Sequence, residues 1–410
     1  MRITTRRGHL PGIIGERLLQ RLLMEPQSTD LIETDDKRCL IAQDAVDSLL
    51  DAAFVHGLMG QLYQRLHSAP NWEAQPLSLR ERLDDYVLLT VGRAQHRRAT
   101  AKAVTTSLYQ AGIASVLLKG TALAHSVFEP AWLRPSADID VLVAPDDLAG
   151  ANRVLSTFGY RAAPALEDPM ASYQRTWIPE DASALSYSID LHWRLSNRQL
   201  VAKTIPPEVL LARSEPIEAI GPHARKPNKA ALLIHATLHR AVHLKSPYMA
   251  GDHILENDRL IWLLDICLIA ESMSERDWDE VMDISGEVGV GSIVADGIRT
   301  AFTLIRSSGA PDGTEALETH RNSLAARALV RSGRPWGIVS DLLSLESSSQ
   351  RIRLLNGHLF PSSHYMRETY APHSKLPLSA LYLVRLANGF YKRLRHQAPK
   401  KAPDIGSTIH

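Results

Sequence analysis

Three aspartates in this chain have the type and spacing that metal-assisted chemistry requires. Asp138 and Asp140 alternate in the segment RPSADIDVLVAPDD, and Asp190 follows in SYSIDLHWRL. Alternate side chains of a strand share a face, so Asp138 and Asp140 are predicted to point the same way, about 7 Å apart. Convergent carboxylates are the ligands that Mg²⁺ prefers, and like charges this close require neutralising cations.

A pair of divalent ions at such carboxylates suits displacement at phosphorus, because the ions stabilise both the attacking and the leaving oxygen. We expect two Mg²⁺ ions, with Mn²⁺ as the alternative, held by Asp138 and Asp140. Asp190 is expected to complete the site of the ion on the nucleophile side and to accept the proton of the acceptor hydroxyl. The structural alternative is that these acids only cap helices or lie solvated at a strand end.

Residues upstream of the aspartates are candidates for binding phosphate. Gly120 allows the backbone to approach a triphosphate, and Thr121 offers a hydroxyl at the start of a helix, where exposed N–H groups favour anions. Lys119 and Arg134 are the nearest cations. Each also has a structural interpretation: a helix cap for Gly-Thr, a solvated lysine, and a structural arginine.

The elements around these residues alternate between strand and helix. IASVLLKG and DIDVLVA are predicted strands on either side of the helical segment TALAHSVF. A helix opened by Pro145 and closed by Gly159 follows, and SYSIDLHWRL is a further strand with Ser188, Asp190 and His192 on one face. Apolar spacings of three and four predict helices before and after this region.

The predicted fold class is therefore α+β, with a small mixed β-sheet core between large helical N- and C-terminal regions. The predicted division is an N-terminal helical region 1–105, a catalytic core 106–205, a mostly helical domain 206–395 and a disordered tail 396–410.

Composition narrows the class of protein. The chain has 410 residues, with 46 Lys plus Arg against 45 Asp plus Glu, so its charge indicates no general nucleic-acid or membrane surface. The two cysteines lack disulfide-framework or metal-ligand spacing, no signal peptide is recognised, and no apolar run reaches the roughly 20 residues of a membrane span. We expect a cytoplasmic protein without a sequence-specific nucleic-acid module.

The order of these motifs resembles a known family. LLKGTALA, Arg134, DIDVLV and IDLHWRL are similar to the signature of the uncharacterised-type nucleotidyltransferases of the polymerase-beta superfamily. The similarity extends to Gly159-Tyr160, LLIHATLHRAVH, DRLIWLLDI and LFPSSHYMRETY, and so from about residue 100 to 395. Thr121 stands where Ser or Gly is usual in the superfamily. The resemblance implies a nucleotidyltransferase fold and metal-dependent nucleotidyl transfer from an NTP, and it implies no particular acceptor.

Histidines recur every four residues on one predicted helix, at His235, His239 and His243. We expect His239 and His243 to line the cleft between the catalytic and helical domains and to contact nucleotide or acceptor. A structural zinc site and ordinary packing are the alternatives. Asp265, inside the apolar run LIWLLDICLIA, is expected to pair with one of these histidines or with Arg259.

These observations favour transfer of an NMP from an NTP to an acceptor hydroxyl, with release of pyrophosphate. Two alternatives stay open: phosphoryl transfer to a small molecule or peptide, as in a kinase, and a nucleotide-binding module without catalysis. The acceptor is undetermined among small molecules, peptides, RNA and proteins.

Overall fold

The computed structural model describes residues 19, 40–164, 172–181, 186–244, 248–250, 253–255, 258–306, 308–320, 322–331, 335–370 and 376–395. The tail predicted over 396–410 lies outside these residues. Within the described part of the chain, no helix is both long and apolar enough to cross a bilayer.

Helices precede the sheet, as the apolar spacing predicts. They are α1 (Val46–His56), α2 (Met59–His67) and the long α3 (Leu77–Gln110). Gly57 ends α1 with φ 74°, a left-handed conformation that glycine adopts without steric cost. The predicted boundary between residues 105 and 106 falls inside α3.

A mixed five-stranded sheet forms the centre of the chain. Its elements, with the two helices between them, are β1 (Ser115–Leu117), α4 (Lys119–Ala124), β2 (Asp138–Val143), α5 (Leu148–Thr157), β3 (Tyr160–Ala162), β4 (Gln174–Pro179) and β5 (Ser188–His192). The strand order is β1-β2-β5-β4-β3, in which β2 and β5 are parallel and the other neighbours antiparallel. The predicted strand, helix, strand pattern is confirmed, and Gly159 turns the chain from α5 into β3 with φ 81°.

The second half of the chain is mostly helical. Its helices are α6 (Gln199–Thr204), α7 (Pro207–Ala212), α8 (Lys229–His243), α9 (Leu260–Glu271), α10 (Glu275–Val288), α11 (Gly291–Ala301), a π-helical turn (Phe302–Arg306), α12 (Gly313–Thr319), α13 (Leu324–Val330), α14 (Pro335–Leu343), α15 (Ser348–Leu359), α16 (Ser363–Tyr370) and α17 (Leu378–Arg395). Two short hairpins, β6 (Glu215–Pro216) with β7 (Arg225–Lys226) and β8 (Tyr248–Ala250) with β9 (His253–Leu255), lie on either side of α8. The α+β class is confirmed.

Side-chain caps fix where several of these helices begin. The Asn228 side chain accepts a hydrogen bond from the Ala231 N–H at the start of α8, and Ser274 with Asp277 forms a capping box on α10. Such caps satisfy N–H groups that have no partner inside the helix.

Two hydrophobic clusters hold the sheet in place. One face of β2 and β5, with Ile139, Val141, Ile189 and Leu191, packs against α3 and α5. The larger cluster joins α1, α2, α8, α9 and α11, and includes Leu142 from the other face of β2. The N-terminal helices therefore share a core with the second half of the chain. The face of β2 that carries Asp138 and Asp140 is the face that contributes Leu142 to this core.

Candidate active site

Asp138 and Asp140 lie where the strand alternation places them. Both project from the face of β2 opposite Ile139 and Val141, which are fully buried. Asp140 is only 2 % exposed, so its carboxylate needs partners to offset the loss of hydration.

Asp190 meets Asp140 because β2 and β5 are parallel and in register. Asp140 is paired with Asp190, and Asp138 with Ser188. Neighbouring strands lie roughly 4.8 Å apart, so paired side chains on one face are adjacent. The predicted convergence of carboxylates from two strands is a direct consequence of this register.

His192 is a site residue that the sequence reasoning placed on the polar face of β5 without giving it a role. It is completely buried, and its Nε2 lies 2.8 Å from Asp140 Oδ1. Its position two residues after Asp190 was the available signal, since alternate residues of a strand share a face. One donor atom each of Asp140, Asp190 and His192 lie within 4.8 Å of one another, and they form the one such group of three found among the described residues.

Lys119 contacts the same carboxylate. Its Nζ lies 2.5 Å from Asp140 Oδ1, and the lysine backbone has φ 46°, in the left-handed region. Burial opposes ionisation of both groups, but their mutual attraction outweighs it, so the pKa of Asp140 is lowered and that of Lys119 is raised. The ammonium thus occupies a position where the carboxylates favour a cation.

The pKa of Asp138 is raised by its burial near two other carboxylates. Burial, and then the charges of Asp140 and Asp190, raise the pKa of Asp138 to about 6, although Lys119 and a hydrogen bond from Ser136 oppose this. Asp138 is outside the group of three donors described above. A divalent cation would lower the cost of keeping the three carboxylates ionised.

The donor set fits a divalent ion. Asp140 and Asp190 supply hard oxygen ligands, and His192 supplies an imidazole nitrogen. His192 Nδ1 is buried and has no hydrogen-bond partner among the described residues. Asp140, Asp190 and His192 could together hold one ion, with Asp138 beside it.

Asp190 is oriented by β4. The Thr176 hydroxyl donates to Asp190 Oδ1 at 2.6 Å, and Gln174 Nε2 donates to Oδ2 at 3.3 Å. The antiparallel pairing of β4 with β5 sets Thr176 opposite Asp190. Both oxygens of this carboxylate are therefore held in a fixed direction, while the residue keeps partial exposure.

Gly120 and Thr121 lie in the first turn of α4, which begins at Lys119, slightly earlier than predicted. A Cβ atom on Gly120 would lie 2.6 Å from Ser136 Oγ, so glycine is required by the close approach of the loop before β2. Thr121 is 1 % exposed, and its hydroxyl has no hydrogen-bond partner within the described structure. The structure thus directs the Thr121 side chain into the interior, and a phosphate contact through this residue stays a prediction.

Arg134 is engaged in a buried ion pair. Its Nε and Nη2 each lie 2.7 Å from an oxygen of Asp265, and its Nη1 donates to the Pro135 carbonyl at 2.7 Å. The prediction that Asp265 pairs with a histidine or with Arg259 is wrong, because the loop before β2 brings Arg134 to α9. The observed geometry favours the structural interpretation of Arg134, and its phosphate contact remains a prediction.

The histidines of α8 lie in a row beside Trp262 of α9, with their rings in tilted or edge-on contact. The ring centroids of His239 and His243 are 4.3 Å apart, and those of His239 and Trp262 are 5.4 Å apart. Burial first, and then nearby positive charges that include Lys119, lower the pKa of His235 to about 3 and of His243 to about 4, and hold that of His239 well below its usual range. The three rings are neutral at physiological pH.

A small cavity, partly open to solvent, lies between this row and Lys119. Its volume is about 30 Å³, and its lining residues are Lys119, Leu123, Arg134, Leu232, His235, Ala236, His239, Trp262 and Asp265. The structure therefore brings His239 to the same cleft as Lys119. No group of three metal ligands on α8 is found among the described residues, so the zinc alternative gains no support.

Comparison with known proteins agrees with this geometry. No curated protein matches the chain. Residues 43–306 match the family described as "Uncharacterised nucleotidyltransferase". The match begins and ends earlier in the chain than the resemblance, which was predicted from about residue 100 to 395. It therefore includes the helices α1–α3, which share their core with α8, α9 and α11. The match spans well over half of the chain, and the chain belongs to this nucleotidyltransferase family.

Proposed function

We propose that this chain transfers an NMP from an NTP to an acceptor hydroxyl in a reaction that depends on a divalent metal and releases pyrophosphate. The observation that carries the proposal is the pairing of Asp140 with Asp190 on parallel strands, beside His192 and the ammonium of Lys119. Carboxylates and a lysine arranged in this way suit a polyphosphate with its metal ions.

The proposed roles follow from the contacts. Asp140, Asp190 and His192 would hold a divalent ion, and Asp138 would take part in holding a second, so that two Mg²⁺ or Mn²⁺ ions are used. Bound metal supplies positive charge at the phosphoryl oxygens. The ammonium of Lys119 would stabilise the negative charge of the phosphates, and Gly120 would permit their close approach to the backbone of α4.

The proposed chemical step is an in-line displacement at the α-phosphorus of the NTP. The acceptor oxygen bonds to the α-phosphorus, the bond from that phosphorus to the bridging oxygen breaks, and pyrophosphate leaves with the electron pair. Asp190, oriented by Thr176 and Gln174, takes the proton of the acceptor hydroxyl. In this proposal the core 106–205 supplies these groups, and the regions 1–105 and 206–395 form the walls of the cleft.

The test uses NTPs labelled at the α- or the γ-phosphorus, with Mg²⁺ or Mn²⁺ and with acceptor pools of small molecules, peptides, RNA and proteins. We expect the α-label to appear on an acceptor together with free pyrophosphate, and Asp140→Asn or Asp190→Asn to abolish transfer. Asp146→Asn is the matched control, because Asp146 is an exposed acid just beyond β2.

Other outcomes would overturn the proposal. Transfer of the γ-label with formation of ADP would identify a kinase. Calorimetric binding of a metal–NTP complex without transfer to any pool would identify a binding module, and full activity in Asp140→Asn would exclude the mechanism.

A further inference from the structure

The three side chains that could hold one divalent ion offer two kinds of ligand atom. Asp140 and Asp190 each offer a carboxylate oxygen, whereas His192 offers an imidazole nitrogen. Mg²⁺ is bound through oxygen ligands and usually keeps several of its water molecules. Imidazole nitrogen instead suits transition metal ions such as those of iron, nickel and zinc. The composition of this group therefore bears on which metal ion the site accepts.

The sheet holds the His192 ring against the carboxylates. His192 is the last residue of β5 and lies on the same face as Asp190, two residues before it. The parallel register places Asp140 opposite Asp190 and Leu142 opposite His192. His192 Nε2 lies 2.8 Å from Asp140 Oδ1, and the ring is completely buried. Because a packed interior restricts rotation of a buried ring, Nε2 stays beside the carboxylates.

The second nitrogen of the ring leaves Nε2 available to a metal ion. His192 Nδ1 is buried and makes no hydrogen bond within the described part of the chain. A hydrogen bond at one nitrogen of an imidazole usually sets which nitrogen can bind a metal. Since no such bond at Nδ1 fixes the tautomer, the ring can carry its hydrogen on Nδ1 and offer the lone pair of Nε2. The nitrogen can therefore act as a ligand together with the two carboxylates.

The second ion of the proposed function has a different environment. Asp138, which would take part in holding it, supplies oxygen only and is outside the group of three ligand atoms. An ion held by Asp138 and by phosphate oxygens has the ligands that Mg²⁺ prefers. The two ions are therefore expected to differ in kind.

We propose that the ion held by Asp140, Asp190 and His192 is a first-row transition metal ion and not Mg²⁺, with His192 Nε2 as its nitrogen ligand. The inference rests on the proposed function, and it adds the class of metal ion that one of the two positions takes. The carboxylate oxygens alone would accept either class of ion. The nitrogen of His192 is the ligand that discriminates between them.

Pulsed electron paramagnetic resonance of bound Mn²⁺ tests the nitrogen ligand directly. Less than one Mn²⁺ per chain is added, with and without inorganic tripolyphosphate, which mimics the phosphates and contains no nitrogen. We expect the wild type to show ¹⁴N modulation from a coordinated imidazole, and protein labelled with ¹⁵N-histidine to show the ¹⁵N pattern in its place. His192→Asn replaces the nitrogen ligand by an amide oxygen, and it is expected to lose the signal.

His235→Gln is the matched control for the spectra. His235 is a buried histidine on which the charges of Asp140 and His192 both act, yet it is outside the group of three ligand atoms. The ¹⁴N signal is expected to persist in His235→Gln. A signal lost in this variant would identify His235 as the ligand and overturn the role of His192.

Competition for the bound Mn²⁺ tests the selectivity. In the wild type, we expect Mg²⁺ to bind at least about 10-fold more weakly than Mn²⁺, and Co²⁺ and Zn²⁺ to displace Mn²⁺ at lower concentrations than Mg²⁺ does. In His192→Asn, the ratio of the Mg²⁺ and Mn²⁺ dissociation constants is expected to fall several-fold. Urea unfolding shows whether this variant is folded, and His192→Gln takes its place if it is not.

Three outcomes would overturn the inference and leave the proposed function intact. They are bound Mn²⁺ without a nitrogen signal in the wild type, a nitrogen signal that persists after substitution of His192, and equal affinity of the wild type for Mg²⁺ and Mn²⁺. A wild-type protein that binds no divalent ion, with or without tripolyphosphate, would overturn both the inference and the proposed function.

Discussion

The ammonium of Lys119 and the carboxylate of Asp140 meet at one oxygen, Asp140 Oδ1, at 2.5 Å. That oxygen also lies 2.8 Å from His192 Nε2. The carboxylate proposed to bind metal is therefore already compensated by a cation of the protein, which must shift if the metal is to take its place. Lys119 is therefore expected to oppose metal binding, because its ammonium occupies the position of the metal, and to favour nucleotide binding, because it is a cation near the phosphates.

We expect Lys119→Met to bind Mn²⁺ about 10-fold more tightly in the absence of nucleotide, because the competing ammonium is gone. The same variant is expected to bind a metal–NTP complex about 10-fold more weakly, because the phosphates lose a cation. Electron paramagnetic resonance measures free Mn²⁺, and calorimetry measures the nucleotide. Lys102→Met, at an exposed lysine of α3, is the control. Weaker binding of Mn²⁺ by Lys119→Met would show that the ammonium of Lys119 does not compete with the metal for Asp140.

Gly120→Ala tests the close approach between α4 and the loop before β2. The new methyl group would lie 2.6 Å from Ser136 Oγ and 2.9 Å from Ser136 Cβ, so the loop that leads into β2 and Asp138 must move. We expect a loss of about 1–3 kcal/mol in the free energy of unfolding and a fall in nucleotidyl transfer of about 10-fold or more.

The double variant Gly120→Ala/Ser136→Gly should recover most of that stability, because the clash is removed. Gly92→Ala is the control on α3, where a Cβ atom meets nothing within 4 Å. It is expected to stabilise the helix by about 0.5–1 kcal/mol. A Gly120→Ala protein with unchanged stability and activity would show that the loop adapts freely.

Arg134→Met leaves the carboxylate of Asp265 buried without its bidentate partner. We expect a loss of about 3–5 kcal/mol in the free energy of unfolding, measured with urea, and near-complete recovery in Arg134→Met/Asp265→Leu. Arg306→Met is the matched control, because the Arg306–Glu271 pair has similar geometry but is about one-third exposed; its expected cost is below about 1 kcal/mol. If Arg134→Met weakened nucleotide binding and left stability unchanged, the predicted contact of Arg134 with phosphate would be supported instead.

His235 makes stability depend on pH in a defined direction. Burial lowers the pKa of His235 from 6.5 to about 3 in the folded protein, so between these values the unfolded chain binds a proton that the folded chain does not. Stability from this residue is present above pH 6.5 and is lost as the pH falls, by about 2 kcal/mol between pH 7 and 5. In urea unfolding, we expect the free energy of unfolding of His235→Gln to fall less between pH 7 and pH 5 than that of the wild type, by about 2 kcal/mol. An unchanged difference would show that His235 is protonated in the folded state.

Local sequence predicted β1, β2 and β5, the main helices and the shared face of Asp138 and Asp140, because alternation and helical spacing depend only on near neighbours. It also placed Ser188, Asp190 and His192 together on one face. It did not predict β3, β4 or the two short hairpins. The parallel register that sets Asp140 beside Asp190 depends on contacts between residues 50 positions apart, and local periodicity carries no information about that pairing.

Tertiary structure alone decided the partners of the charged residues. Arg134 was expected at the phosphates and Asp265 beside a histidine, yet the approach of α9 to the loop before β2 joins these two to each other. The same packing turns the Thr121 hydroxyl inward and brings His239 into the cavity with Lys119. The physical reason is that burial makes an unpaired charge costly, and only the folded chain determines which opposite charge lies near enough to satisfy it.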